Sequence, residues 1–233
     1  DEMIKCVAVA SANDCSVALA EYIAGSEPAF VAMMNERALE LGMYNTNFVN
    51  CCGLEAEGHY TTAADVAIMS CELIKHEKIF DYTTIWMDTI RDGEFGLTNT
   101  NKLIKTYDGM KGLKTGYTSQ AKYCLSAVAE REGMELIAVV LGGETSESRN
   151  KDISAMLNYG FAVYSQVEIS PDKPLMPVTV ELGEKNSVAV KLLYEDPTVI
   201  EKKDIPLLEK NLEIAESVKA PVKKGDEIGT FSV

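Results

Sequence analysis

The sequence contains no apolar run approaching the roughly 18 residues that a membrane span requires. Its longest candidate, 6–24, is interrupted by Ser11, Asn13, Asp14 and Glu21. The opening Asp1-Glu2-Met3 is acidic and leads into a helical pattern, unlike the basic start of a secretory signal. There is no internal repeat and no low-complexity stretch, which excludes solenoids and disordered tracts. No C-x-x-C spacing occurs among the six cysteines, Cys6, Cys15, Cys51, Cys52, Cys71 and Cys124. They are expected to be free thiols acting as small buried apolar residues rather than a disulfide framework. A metal site built from Cys51, Cys52 and His59 would lack a fourth ligand, so no metal and no cofactor is expected. With His59 and His76 the only histidines, a Cys–His nucleophilic pair has no local motif behind it.

Basic residues are also in short supply. The net charge of -14 divides as -10 over 1–166 and -4 over 167–233. Such a surface argues against nucleic acid and against unaided binding to anionic lipid. An anionic ligand remains compatible, because a pocket charge acts at short range while distant charges are screened.

What is present, at 233 residues with 46% apolar and 25% charged, is an ordinary globular composition long enough for a sizeable core. Residues 2–10 read as the end of a helix, followed by the cap-forming cluster Ser11-Ala12-Asn13-Asp14. A second helix is expected over 15–24, ended by Gly25. A third runs from Ser26 to Gly42 with Pro28 in its first turn and Phe30, Met33, Met34, Ala38 and Leu41 inward. Residues 45–60 read as a long loop. A helix starting at Thr61 or Thr62 would bury Ala64, Ile68, Cys71 and Leu73. After a mixed stretch over 78–106, two alternating runs, 122–130 and 134–141, read as a strand hairpin. A helix over 146–164 would turn Ile153, Met156, Leu157 and Phe161 inward. Beyond Ser165 the prolines 171, 174 and 177 and short alternating runs at 178–182 and 188–193 read as a small all-β module. The expected boundary separates 1–166 from 167–233.

The stretch Gly112-Leu113-Lys114-Thr115-Gly116-Tyr117-Thr118 precedes the hairpin and reads as an edge strand. Lys114 offers a positive charge and Thr115 a hydrogen bond. Gly116 lacks the side chain that would keep a ligand's backbone off the strand. Alone, such a tripeptide is an exposed turn lysine as often as a site. Its weight comes from Ser11-Ala12-Asn13 about a hundred residues earlier.

Together and in that order, Ser11-x-Asn13 and Lys114-Thr115-Gly116 resemble the second and third motifs of the penicillin-recognising serine enzymes. The intervening residues narrow this: Met34-Asn35, Leu41-Gly42-Met43, Thr46-x-Phe48, Gly53-Leu54, His59-Tyr60-Thr61-Thr62-Ala63-x-Asp65, and Asn101 before Gly112. The chain is similar, end to end, to the low-molecular-weight D-alanyl-D-alanine carboxypeptidases of serine peptidase family S11. Ala220-Pro221-Val222-x-Lys-x-Gly225 resembles part of that family's C-terminal β domain. The resemblance implies an α/β (α+β) fold of the serine β-lactamase/D,D-peptidase type. An antiparallel sheet would be flanked by helices and followed by a small β domain.

It also implies roles. Ser11 would pass a proton towards the leaving amine, Asn13 would hold a peptide carbonyl, and Lys114 with Thr115 would bind the terminal carboxylate of D-alanine. Gly116 would admit the substrate backbone, and the backbone N–H of Tyr117 would serve in the oxyanion hole. Arg149 matches a family arginine that assists carboxylate binding; as a bare residue it could equally be a solvated first-turn arginine. The implied partners are peptidoglycan stem peptides ending in D-Ala-D-Ala and β-lactam antibiotics. The implied setting is extracytoplasmic, at the bacterial membrane or wall.

Two departures accompany the resemblance. The family's nucleophile motif, Ser-x-x-Lys, is expected roughly sixty residues before Ser11, so a missing N-terminal segment of the same protein is an expected partner. The three Ser-x-x-Lys strings present, at Ser119, Ser148 and Ser170, stand in the wrong context. The family's C-terminal amphipathic membrane anchor is likewise expected to lie after Val233, in a longer parent of which this chain would be a fragment. The chain as given is therefore expected to form no acyl-enzyme. A non-catalytic wall-peptide-binding protein on the same fold and a class A β-lactamase are the alternatives, the latter disfavoured because no glutamate deacylation motif occurs in 55–100.

Overall fold

The hairpin expected after residue 122 is the second half of a three-stranded antiparallel meander that carries the molecule's first unit. A computed structural model describes residues 1–194 and 197–233. Chain contacts divide these into two compact units, Asp1–Ala162 and Val163–Val233. A boundary at 166/167 would cut through strand Tyr164–Val167, which pairs within the second unit.

The first unit opens with helix α1 (Glu2–Lys5), which runs directly into a π-helical turn, Cys6–Ala10. Helices α2 (Asn13–Ala24) and α3 (Glu27–Glu40) follow. Gly25 ends α2 in the left-handed region at φ 81°, where a Cβ would be strained. Ser26 then caps α3, its hydroxyl accepting from the Ala29 N–H at 3.3 Å. Helix α4 (Ala63–Ile74) begins under the same control, Thr62 accepting from the Asp65 N–H at 3.1 Å. The stretch 78–106 resolves into helix α5 (Phe80–Thr83), a hairpin of β1 (Met87–Ile90) and β2 (Phe95–Thr98), and helix α6 (Leu103–Thr106).

The meander is β3 (Met110–Thr118), β4 (Lys122–Arg131) and β5 (Met134–Gly143), with β3 at one edge. The β4–β5 turn is Glu132-Gly133, both with positive φ, the signature of a two-residue turn whose twist matches its strands. Leu125, Ala127, Val128 and Ala129 of β4 are buried, as the middle strand of a covered sheet requires. Helix α7 (Ser146–Val163) buries Ile153, Leu157 and Phe161, but Met156 is 42% exposed rather than inward.

Two further burial expectations fail in an informative way. On α4 the buried side chains are Asp65 and Ser70, while Ile68, Cys71 and Leu73 are exposed. Periodicity of apolar residues selected the wrong face, because the buried positions are held by satisfied polar groups bonded to the 45–60 loop and to β4. Asp65 accepts from the Asn45 N–H at 2.9 Å and the Thr46 hydroxyl at 2.7 Å. Ser70 donates to the Val66 carbonyl, so the buried 2.6 Å contact with Ser126 has Ser126 as donor. On α3, Val31 and Ala38 are buried and Met33 is exposed. Of the six free cysteines only Cys6 is buried, which corrects the expectation of apolar core thiols.

The second unit is built of short strands. The pairs are β6 (Tyr164–Val167) with β9 (Thr198–Glu201), and β10 (Asn211–Ile214) with β12 (Gly229–Ser232), both antiparallel. Strand β7 (Val178–Glu181) lies between β8 (Ser187–Val188) and β11 (Ser217–Lys219). The alternating run 188–193 leaves the sheet after Val188, and its Leu193 is 84% exposed. No helix among the described residues is long and apolar enough to cross a membrane.

Candidate active site

The π-helical turn sets the position of the first site residue. Ser11 follows it in the left-handed conformation, φ 60°, and the Ala12 N–H returns to the Cys6 carbonyl at 3.2 Å. That reversal separates two helices and leaves the Ser11 hydroxyl outside either of them. The cap of α2 is Ala12, without a side-chain hydrogen bond, so Ser11 performs no capping. Its hydroxyl instead accepts a 2.8 Å hydrogen bond from Lys114 Nζ on β3.

Lys114 donates also to the Thr115 carbonyl at 2.9 Å. Both acceptors are neutral. Burial without a counter-ion pushes the lysine down to about 8. A pocket cation thus persists at neutral pH inside a protein of net charge -14. The Thr115 hydroxyl meets that of Thr100 at 2.6 Å. The Thr100 N–H in turn donates to the Val9 carbonyl at 3.1 Å, tying β3 to the turn that presents Ser11. Thr100 is a site residue that pattern reading missed. Its only signal was the neighbouring Asn101, which is fully buried.

On β3 the pairing to β4 runs Lys114 to Ser126, Thr115 to Leu125, Gly116 to Cys124 and Tyr117 to Tyr123. Gly116 is exposed, and Tyr117 is 60% exposed with its ring 4.6 Å from that of Tyr123. An edge strand leaves every second N–H and C=O without a ladder partner, which is what an extended peptide can use. Arg149, at the start of α7, is buried rather than solvated. Its Nη1 donates to the Cys124 carbonyl at 3.2 Å, behind the Gly116 position, and Nε and Nη2 donate to Asn150 Oδ1. Burial lowers its pKa from the ordinary arginine value.

The long loop 45–60 joins the two patches. Asn35 clamps it from α3, donating to the Phe48 carbonyl at 2.8 Å and accepting the Phe48 N–H at 2.7 Å. Asp65 holds its start, as described above. At its far end Cys52 donates to the Asn13 carbonyl at 3.4 Å. Glu55 accepts from the Ser119 hydroxyl at 2.9 Å and the Gln120 N–H at 2.7 Å. The loop therefore runs from the N-terminus of α2 to the β3–β4 turn. Those bonds hold the Glu55 carboxyl below the usual carboxylate range. His59 belongs to this frame. Its Nδ1 accepts from the Val49 N–H at 3.3 Å, and burial lowers its pKa.

The Ser-x-x-Lys serines have other occupations. Ser119 is bound to Glu55, Ser148 donates to the Thr145 carbonyl at the start of α7, and Ser170 lies in the second unit.

The lysine's depressed pKa carries a stability prediction. Between about pH 8 and the ordinary lysine value near 10.4, the unfolded chain binds more protons at this position than the folded one. The half-buried charge therefore opposes folding below pH 8, and that penalty is relieved as pH rises. Going from pH 7.5 to 9.5, the wild type should gain about 1–2 kcal/mol relative to Lys114→Met, allowing for partial solvent screening. Urea unfolding of both proteins at the two pH values measures the difference. Parallel changes would show that the charge is solvated.

The chain is similar to proteins of one family. The family model for D-alanyl-D-alanine carboxypeptidase, peptidase S11, matches residues 1–145. The D-alanyl-D-alanine carboxypeptidase DacF of Bacillus subtilis is 44% identical over 99% of this chain and 60% of its own length. DacC of Escherichia coli is 33% identical over 99% of this chain and 58% of its own. Penicillin-binding protein 5 of Haemophilus influenzae superposes with a TM-score of 0.78 at 31% identity, covering 100% of this chain and 69% of that one. Penicillin-binding protein D2 of Listeria monocytogenes, solved in an ampicillin-bound form, matches 68% of this chain and 66% of its own, with a TM-score of 0.63 at 34% identity. The chain spans about 60% of the length of the curated relatives it matches. With its α+β architecture, and with a family model covering well over half its length, the chain belongs to the D-alanyl-D-alanine carboxypeptidase family, peptidase S11.

Proposed function

We propose that this chain supplies the substrate-anchoring and proton-transfer side of a serine-type D-Ala-D-Ala carboxypeptidase. The observation that carries the reading is the 2.8 Å contact between Lys114 Nζ and Ser11 Oγ, made from an edge strand to a helix junction 103 positions away. The substrate is a peptidoglycan stem peptide laid along β3, with its terminal D-alanine carboxylate on Lys114 and Thr115. Arg149 adds positive potential from behind the strand. Asn13 holds a peptide amide, and Gly116 leaves room for the substrate backbone.

In this reading the nucleophile is a serine of a Ser-x-x-Lys segment not among these 233 residues, because Ser119 is bound to Glu55, Ser148 to the Thr145 carbonyl, and Ser170 lies in the second unit. Its oxygen attacks the penultimate D-alanine carbonyl, and the developing oxyanion takes a hydrogen bond from the Tyr117 N–H, a donor of a kind worth about 3 kcal/mol in the transition state. The lysine of the Ser-x-x-Lys segment takes the attacking serine's proton and returns it to Ser11, which passes its own hydroxyl proton to the departing D-alanine amine, while Lys114 holds the Ser11 oxygen through its hydrogen bond. Water completes the cycle by hydrolysing the ester. A β-lactam carries a carboxylate and an amide at comparable positions, so it acylates the same serine, and the reaction belongs outside the cytoplasm, at the peptidoglycan.

The test is covalent labelling of the protein carrying a Ser-x-x-Lys segment with a fluorescent penicillin, alongside D-alanine release from a pentapeptide. Both are expected. Absence of label at saturating drug, with peptide binding retained, would replace the enzyme by a wall-peptide-binding protein.

A further inference from the structure

We propose that Glu27, Cys51 and Cys52 form a binding site for a soft divalent cation such as Zn²⁺ or Cd²⁺. One ligand atom from each lies within 4.8 Å of the others, the single such group among the described residues. The Cys51 and Cys52 sulfurs are 3.8 Å apart. Two thiolates bound tetrahedrally at about 2.3 Å from one metal stand about 3.8 Å apart, so the separation of these sulfurs matches that of a shared ion. That separation is also ordinary thiol contact. The inference therefore rests on the third group, a carboxylate brought from a different element.

Glu27 sits in the first turn of α3 and accepts the Cys51 N–H at 3.1 Å. A carboxylate has further lone pairs available after one such bond. The loop is organised before any ion binds. The Asn50 side-chain oxygen accepts from the N–H groups of Cys52, Gly53 and Leu54 at 3.2, 2.8 and 3.1 Å. The set of two sulfurs and one oxygen favours a borderline-soft cation over Mg²⁺ or Ca²⁺. Three protein ligands leave a fourth position for water or another small ligand.

On binding, each thiol loses its proton, two sulfur–metal bonds and one oxygen–metal bond form, and two protons pass to solvent. No redox change is involved. Because Cys52 also touches the Asn13 carbonyl, the ion would fasten the loop against the N-terminus of α2. This inference is independent of the peptidase reading.

The experiment titrates the full chain with Cd²⁺, following thiolate-to-metal charge-transfer absorbance, and with Zn²⁺ by calorimetry, both under reducing conditions. One equivalent is expected to bind. Cys51→Ser and Cys52→Ser should each abolish it, Glu27→Gln should weaken it at least tenfold, and Cys71→Ser, which alters an exposed thiol elsewhere, should leave it intact. Absence of stoichiometric binding, or equal affinity in wild type, Cys51→Ser and Cys52→Ser, overturns the proposal. Unchanged affinity in Glu27→Gln overturns the three-ligand site.

Discussion

Replacing Lys114 by alanine should lower the rate of acylation by a labelled penicillin about 10²–10³-fold in the protein that carries the nucleophile. Under the proposed mechanism the lysine does two things that alanine cannot. It presents a charged donor to the ligand carboxylate, and it holds the Ser11 hydroxyl through the 2.8 Å bond. Hydrogen bonds involving a charged group contribute about 1.5–3 kcal/mol each. Losing both, with partial compensation by water, removes about 3–4 kcal/mol, and each 1.4 kcal/mol is a factor of ten in rate. Lys114→Arg keeps the charge on a longer, planar head and should recover only part of the loss. Stability gives the internal control. The half-buried lysine is held at about 8 by desolvation, so its removal should leave the fold as stable or more so at neutral pH. An unchanged acylation rate in Lys114→Ala would show that the carboxylate anchor lies elsewhere.

The second large effect concerns backbone. Gly112→Ala should destabilise the first unit by about 3–5 kcal/mol. A Cβ at this position would stand 2.7 Å from Thr83 Cβ and 2.8 Å from Thr83 Oγ1, and the residue's φ is +142°. Overpacking of a filled site costs about 1–3 kcal/mol, and a side chain in a glycine-only region adds a similar amount. Thr83 has little room to move. It is buried, its hydroxyl donates to the Lys111 carbonyl at 2.6 Å, and its own carbonyl accepts from Asn99 Nδ2 at 3.2 Å. Gly133→Ala is the comparison, since at φ +78° a Cβ there meets nothing within 4 Å. It should lose only the backbone term, about 1 kcal/mol. Urea midpoints of the two variants separate crowding from dihedral strain, and equal midpoints would refute the account of Gly112.

Much of the fold was legible because local chemistry sufficed for it. Ser26 and Thr61 or Thr62 as caps, Gly25 as a stop and the gap Arg131-Glu132-Gly133 as a hairpin turn each act within four residues of themselves. The face of α4 was not legible for the opposite reason. Asp65 and Ser70 read as solvent residues until their partners, 20 and 56 positions away in Asn45 and Ser126, are in view. A polar residue bonded to a remote one leaves no periodic trace. The same holds at the candidate site. Lys114, Thr115 and Gly116 attracted notice as a tripeptide, and Ser11 with Asn13 as a cap-like cluster, but spacing alone could not place them in contact. The resemblance to a family supplied the pairing. Thr100 and Glu55 had no such help, because a threonine in a polar approach and a glutamate in a loop are the commonest of surface residues. The π-helical turn before Ser11 was read as ordinary helix, since the extra residue per turn changes hydrogen-bond partners without changing composition.

Joining Ser11 to Lys114 closes a segment of 103 positions, an entropic penalty of about 4 kcal/mol that a single hydrogen bond cannot offset. Long-range ties on either side share it. Lys5 pairs with Asp88, the Tyr82 hydroxyl donates to Asp1, and Thr100 meets Val9. The hydroxyl and the ammonium thus meet through contacts that join residues 1–11 to residues 82–114. Neither motif is a site by itself: the serine and the lysine become one unit only through the tertiary fold of the first unit.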